Sequence, residues 1–365
     1  MMVRIDRNRM FVLGNGASIG AKRYPAPDKL HKIIPTGDNF FRDLLVQGKN
    51  KRRSDFLHLL PFIHELLNDL IIRAWRIDPE TQHFKETWAG INIEEVFSFF
   101  DVGEQMYSSN SYYRKIFHRA KNDLIKFIYL IILMRTEGQR CLFLEKLFSK
   151  IEPDDTIITF NWDALIDVTL EHLNNSHFKK YVSLFGDNFK ASDYYAHGAF
   201  LKLHGSVNWG YCSNNKCKTY NKIQLLGGKG TKPLKNFSLG DSDKCTNCSN
   251  KLIHNIIPPT SNKIRVQKDS FIHKQWLIAR QRLRYSETII FIGYSFPKTD
   301  FYSEWLFRQI NFLVDNDKQF IKKKIIIVNP EMEDKKSYVY QQYHKLFKSH
   351  DIEYYRDLES FVAIY

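Results

Sequence analysis

MFVLGNGASIG, residues 10–20, is the stretch that decides the fold class: a short apolar run enters a turn with glycines at 14, 16 and 20. Glycines in such a turn let backbone amides approach a pyrophosphate, and the N-terminus of a following helix would favour the same charge. The spacing is imperfect, because the third glycine stands one place later than G-x-G-x-x-G requires. RYPAPDKL (23–30), with two prolines, argues against a convincing helix directly after the turn. An ordinary tight turn is the alternative reading. Asp38 lies about twenty residues on, where dinucleotide-binding folds place a ribose-binding acid. It follows PTG and not the end of a clear second strand, so it receives no such role.

The same strand form recurs in DTIITFNWD (155–163), FLKLH (200–204), TIIFIGYS (288–295), KKIIIVNP (323–330) and IEYY (352–355). Helical patterns alternate with them, in KDSFIHKQWLIARQRLRYS (268–286), FYSEWLFRQINFLV (301–314) and KKSYVYQQYHKLFKSH (335–350). Short β-branched and aromatic strands between longer helices predict a parallel sheet covered on both faces. From about 40 to 150 the character changes. FLHLLPFIHELLNDLIIRAW (56–75), IEEVFSFFD (93–101) and YYRKIFHRAKNDLIKFIYLIILM (112–134) space apolar residues by three and four, as helices do. The expected architecture is α/β, a doubly wound, Rossmann-like parallel sheet with a helical insertion and a small four-cysteine zinc-ribbon module. Its parts are residues 1–39, 151–205 and 256–365 for the sheet, 40–150 for the insertion and 206–255 for the ribbon.

At 365 residues and 43% hydrophobic composition, the chain is globular and long enough for an enzyme core plus smaller modules. FIYLIILM (127–134) is too short to span a bilayer and is bracketed by Lys126 and Arg135. The N-terminal residues enter a strand with no secretory segment. A cytoplasmic location without a membrane partner is expected. A formal charge of +14 fits a nucleic-acid partner or an acidic ligand. The basic residues are nevertheless scattered, with short clusters at 49–53, 280–284 and 322–324 that read as solvated faces. No nucleic-acid-reading motif is present, and nucleic-acid contact through the basic surface stays a subsidiary expectation.

The strand ends carry the polar residues. Asn161 and Asp163 follow one strand, Gly293 and Ser295 another, Asn329 a third, and His204 with Gly205 a fourth. Doubly wound sheets bind ligands at this edge. Taken singly, each has a turn or helix-cap reading, as Asn161 and Asp163 do before ALIDVTLEHL. His204 taken alone would usually be structural; Gly205 would leave space beside it. The cysteines are more specific. Cys212-x4-Cys217 and Cys245-x2-Cys248 form two close pairs in a polar segment too poor in apolar residues to fold unaided. Four thiolates close a tetrahedral zinc site with no open position, so the metal would be structural. Cys141 reads as core.

Together these residues resemble the sirtuin family. That family has a first turn of G-A-G-x-S type, a T-x-N-x-D strand end, a catalytic histidine in H-G, a four-cysteine ribbon, G-x-S and an I/V-N strand end. This chain has Gly14, Gly16 and Ser18; Thr159, Asn161 and Asp163; His204 and Gly205; the four cysteines; Gly293 and Ser295; and Val328 and Asn329, in the same order. Departures accompany the match. Asn15 replaces the usual Ala, and AKRYPAPD (21–28) stands in place of G-I-P-D-F-R. After the ribbon, HNIIPPTSNKI (254–264) has two prolines where a deacylase has a peptide-pairing strand. The helical insertion is also larger than in typical deacylases. With NIEEVFSFFD (92–101), LHGSVNW (203–209) and IIPP (256–259), the chain is similar to bacterial sirtuin-like NAD hydrolases of antiphage defence.

That resemblance implies NAD as substrate and hydrolysis of its nicotinamide–ribose bond, with His204, Asn161 and Asp163 catalytic. It implies NAD contacts from Gly14, Asn15, Gly16, Ala17, Ser18, Thr159, Gly293, Ser295 and Asn329. A homo-oligomer or a partner ATPase would complete the system, with the helical insertion as either a regulatory and assembly surface or a lid. The alternatives are an NAD-dependent protein deacylase, an ADP-ribosyltransferase, and a non-catalytic NAD or ADP-ribose sensor.

Overall fold

The computed structural model describes residues 8–20, 23–24, 37, 40–41, 70–77, 90–136, 139–177, 181, 198–225, 244–257 and 270–365. Asp38 and most of the helix expected over 56–75 lie outside the described residues. In chain order the strands are β1 (Arg9–Leu13), β2 (Arg23–Tyr24), β3 (Arg140–Cys141), β4 (Thr156–Thr159), β5 (Phe200–Lys202) and β6 (Gly205–Cys212). Then come β7 (Ile223–Leu225), β8 (Leu252–Ile256), β9 (Thr288–Ile292), β10 (Lys324–Val328) and β11 (Asp351–Tyr355). The helices are α1 (Asn15–Gly20), α2 (Ile93–Met106), α3 (Tyr112–Thr136), α4 (Leu142–Phe148) and α5 (Leu165–His172). They continue with α6 (Ser270–Tyr285), α7 (Phe301–Arg308), α8 (Tyr338–Phe347) and α9 (Leu358–Ile364).

Six strands form one sheet in the order β11-β10-β9-β1-β4-β5, and every neighbouring pair is parallel. Renumbered within this sheet alone, the order is 3-2-1-4-5-6 read from β5, the dinucleotide-binding Rossmann order. β1, β4 and β9 are buried at every position. Because successive side chains point to opposite faces, that pattern requires cover on both sides of the sheet. The edge strand β11 is only partly covered. The chain moves outward from β1 through β4 to β5, then returns to the other side of β1 to lay down β9. The switch point therefore falls between the carboxyl ends of β1 and β9.

The register sets the rim. Leu13 pairs with Thr159 and Ile292, Thr159 with Lys202, and Ile292 with Val328, so five strands end on one level. The end of β5 is held from within: Lys202 Nζ reaches Asp167 Oδ2 at 2.6 Å and the Asp163 carbonyl at 2.7 Å. Both side chains of this ion pair are fully buried.

Two local expectations change. A short helix, α1, begins inside the glycine turn at Asn15 and ends at Gly20, before the prolines. The segment after His204, expected to be polar and loop-like, begins with the strand β6, whose residues are buried except Tyr211. β6 is the centre of a three-stranded antiparallel sheet, β7-β6-β8. Asn208 is buried because its Nδ2 donates to Asp167 Oδ1 at 3.1 Å, and Trp209 because its Nε1 donates to Tyr181 at 2.6 Å.

The chain divides into two compact units. One comprises Met1–Lys32, Thr136–Ile257 and Lys263–Tyr365 and contains the six-stranded sheet, the three-stranded sheet and the short β2-β3 pair; the other comprises Ile33–Arg135 and Pro258–Asn262. In the second unit, Asn92 caps α2 by accepting from the Glu94 amide at 2.7 Å, and Phe97 and Phe100 are fully buried. Lys121 of α3 pairs with Asp101 and Glu104 of α2. No helix among the described residues is long and apolar enough to cross a membrane.

Candidate functional site

At the switch point two backbones meet. Gly14 N donates to Ile292 O at 3.0 Å and Gly16 N to Gly293 O at 2.9 Å. A Cβ on Gly14 would stand 2.5 Å from Gly293 O, and one on Gly16 2.7 Å from Gly293 Cα. Gly293 itself sits at φ +59°, and its Cβ would lie 2.3 Å from Ala17 N. These glycines are therefore required by contact between loops, whatever ligand they also admit. Ala17 N donates to Gly14 O at 3.0 Å, so three of the amides expected at the phosphates already have partners inside the protein. Within the turn, Asn15 is half-buried and Gly16 exposed, while Gly14, Ala17 and Ser18 are buried.

The end of β4 is tied to this loop. Asn161 Nδ2 donates to Gly14 O and to Ser18 Oγ, each at 2.9 Å. Ser18 Oγ donates to Asp163 Oδ2 at 2.9 Å, and Asp163 Oδ1 accepts the Leu165 amide at 3.0 Å. That oxygen forms an Asx turn just ahead of α5, whose N-cap is Ala164 and not Asp163, while the other oxygen closes the knot. Burial raises the Asp163 carboxyl above its ordinary range, with the Lys202 charge opposing. Thr159, expected at the cofactor, is fully buried, accepting from the Asn161 amide at 3.0 Å and donating to Leu13 O at 3.3 Å. It shapes the turn that carries Asn161.

His204 stands two residues past Lys202, as Asn161 stands two past its partner Thr159, on neighbouring strands. It is 3% exposed, and Nε2 lies 3.1 Å from Asp300 Oδ2. The ring meets Phe160 edge to face at 5.0 Å, and Phe160 stacks on Tyr294 at 4.5 Å. Tyr294 OH is 3.0 Å from Asp300 Oδ2 and 2.5 Å from Ser303 Oγ, and burial holds this phenol well above its ordinary range. Gly205 has a different reason from the one expected. At φ +73°, its Cβ would stand 2.2 Å from Asn255 O, so the glycine is required for the close approach of β8.

On the other side of the switch point, Ser295 is half-buried in the loop after β9. Asn329 follows β10, and its Oδ1 caps the turn Pro330–Glu333 by accepting the Glu331 amide at 3.0 Å. From His204 to Asn329 the rim crosses four strand spacings, about 19 Å.

The four cysteines Cys212, Cys217, Cys245 and Cys248 bring their sulfurs within 4.8 Å of one another. The Cys212–Cys248 and Cys217–Cys245 separations are 3.5 and 3.8 Å. Tetrahedral zinc with sulfur at about 2.3 Å requires sulfurs about 3.8 Å apart. Donors surround them: Gln224 Nε2 at 3.4 Å and Thr219 Oγ1 at 3.1 Å face Cys245, and Asn247 Nδ2 at 3.2 Å faces Cys217. Although desolvation opposes it, Gln224, Thr219 and the Asn247 and Cys248 backbone amides bring the Cys245 thiol down to about 5. The set fits a closed structural zinc site. Cys141 is buried, as expected of core.

Asp300, Tyr294 and Phe160 were not singled out in the sequence. Asp300 is legible there only as the residue before a helical pattern, and it does cap α7 by accepting from Ser303 N.

No protein-family model matches the chain, and no curated protein does. Solved structures do. One, described as "The Structural basis of Sirtuin Substrate Affinity", is 13% identical and covers 98% of this chain and 92% of its own, with a TM-score of 0.36. Another is Sir2 in complex with an inhibitor, 2′-O-acetyl-ADP-ribose and a deacetylated peptide. It is 14% identical over 98% of this chain and 91% of its own, with a TM-score of 0.33. At such low scores the fold assignment rests on strand order and register.

Proposed function

We propose that the chain is a sirtuin-like NAD hydrolase, releasing nicotinamide and ADP-ribose. One observation carries this reading: Asn161, tied to Gly14 and Ser18, stands level with His204 where a Rossmann sheet receives a dinucleotide. Most glycosidases need an acid to protonate the leaving group. The nicotinamide of NAD is already cationic and departs neutral, so the site needs no such acid. Its tasks are to hold the ribose, stabilise an oxocarbenium-like transition state and admit water.

In this reading His204 takes a proton from water or a ribose hydroxyl. Asn161 orients the ribose or the water, and Asp163 braces Ser18 beside the nicotinamide carboxamide. Asn15 and Gly16 flank the phosphates, and Ser295 and Asn329 the adenosine half. The cysteines hold zinc away from the chemistry. NAD depletion during phage infection is the proposed setting, with self-assembly or a partner ATPase supplying control.

The test is nicotinamide release by the purified chain from NAD alone. H204A and N161A should each lower it by about 10²–10⁴-fold with unchanged circular dichroism. Wild-type turnover in both folded variants would refute the assignments. Release that requires an acylated peptide would indicate a deacylase, label transferred to protein a transferase, and tight binding without product a sensor.

A further inference from the structure

Asp300 carries more than its cap requires. A helix N-cap needs one oxygen, and Oδ1 supplies it to the Ser303 amide at 3.4 Å. Oδ2 turns the other way, to His204 Nε2 at 3.1 Å and the Tyr294 hydroxyl at 3.0 Å. Asp300 is 1% exposed and His204 3%. Ser303 Oγ donates to Asp300 O at 2.8 Å, so the carboxylate is held from both ends of its own residue. The start of α7 also favours negative charge there. Phe160 and Trp276 pack on the His204 ring at 5.0 and 6.5 Å.

We propose that Asp300 is a positioning residue for His204, holding the imidazole with its proton on Nε2 and its lone pair on Nδ1, and stabilising the imidazolium once formed. A carboxylate can only accept, so the nitrogen facing it must be the donor. This deepens the hydrolase reading and rests on it. Water adds to C1′ of the ribose, the electron pair of the C1′–N bond leaves with nicotinamide, and the water's proton goes to Nδ1. Nε2–H stays with Asp300, which remains ionised, and the imidazolium returns its proton to solvent. A carboxylate behind a histidine is the logic of hydrolytic triads.

The experiment uses the full chain, ¹⁵N-labelled at histidine, without nucleotide; the H204Q spectrum assigns the ring. The wild type should show the Nε2–H tautomer. In D300N, which keeps the cap, the His204 titration midpoint should fall by at least about one pH unit. D300S, also a cap former, serves as the second variant. An Nδ1–H tautomer in the wild type, or an unmoved midpoint in the variants, overturns the proposal. In the kinetic arm, D300N should lower the plateau of nicotinamide release by about 10²–10⁴-fold and move its acid limb to lower pH. Wild type that releases no nicotinamide would sink the hydrolase reading alone, because tautomer and midpoint are read without substrate.

Discussion

Replacing Gly293 with alanine places a methyl group where two loops touch. Its carbon would lie 2.3 Å from both Ala17 N and Gly16 C and 2.4 Å from Gly16 Cα, all backbone atoms that no rotamer change can move. At φ +59° the added Cβ also carries the left-handed penalty, roughly 1–2 kcal/mol. Relieving the overlap means parting the loops, an overpacking cost of roughly 1–3 kcal/mol. The two terms sum to about 2–5 kcal/mol.

The methyl should also reach the chemistry. Parting the loops stretches Gly16 N to Gly293 O and shifts Gly14 O, the acceptor that fixes Asn161 Nδ2. Urea unfolding of G293A should show a lower midpoint with an unchanged slope, and nicotinamide release should fall further than the folded fraction does. G20A is the control, since nothing lies within 4 Å of its added carbon. Its stability should stay within about 0.5 kcal/mol of wild type. A G293A midpoint equal to wild type, or G20A damage matching it, would refute the close-approach reasoning.

K202M should cost about 3–5 kcal/mol in urea unfolding by leaving Asp167 charged and buried, and K202M/D167L should recover most of it. His118, then Lys121, hold the Glu104 carboxyl down at about 2, below its ordinary 4.5. Its stabilising contribution is therefore present above pH 4.5 and lost as pH falls toward 2. E104Q should lower the thermal midpoint near neutrality and converge with wild type at the acid end; parallel curves would contradict this. Elemental analysis should find about one zinc per chain, and cobalt exchange should give tetrahedral thiolate absorption. C212S should lose both, and a metal-free wild type would remove the structural-zinc assignment.

The strands of the large sheet were legible because burial on both faces makes them continuous apolar runs, as IIFI before Gly293 and IIIV before Asn329 show. β6 was not legible. Ser206, Asn208 and Gly210 interrupt its apolar residues, and the partner that lets Asn208 be buried, Asp167, lies 41 residues away. α1 was missed because six residues hold no helical period and no acidic first turn. Which strand ends carry polar groups could be read directly. Which of them bond to one another could not, because Asn161 meets Gly14 across 147 residues and Ser18 across 143. Asp300 announces its cap through the helix that follows, and its second oxygen is visible only in three dimensions.

The histidine stands one step before the cysteine module because the module is sewn to the site. His204 O accepts from Ile257 N at 2.8 Å, just beyond β8, and Val207 N of β6 donates to Trp162 O at 2.8 Å, between Asn161 and Asp163. Trp162 Nε1 donates back to Ile257 O at 3.2 Å. β6, which bears Cys212, and β8, which follows Cys248, thus also brace the backbone of the turns that carry Trp162 and His204. A metal that performs no chemistry can still govern activity through this lattice, since loosening β6 and β8 releases His204 and Trp162 together. Chelation should then depress nicotinamide release in protein whose large sheet remains folded. Full activity after complete zinc removal would show that the two sheets hold the site without help from the metal.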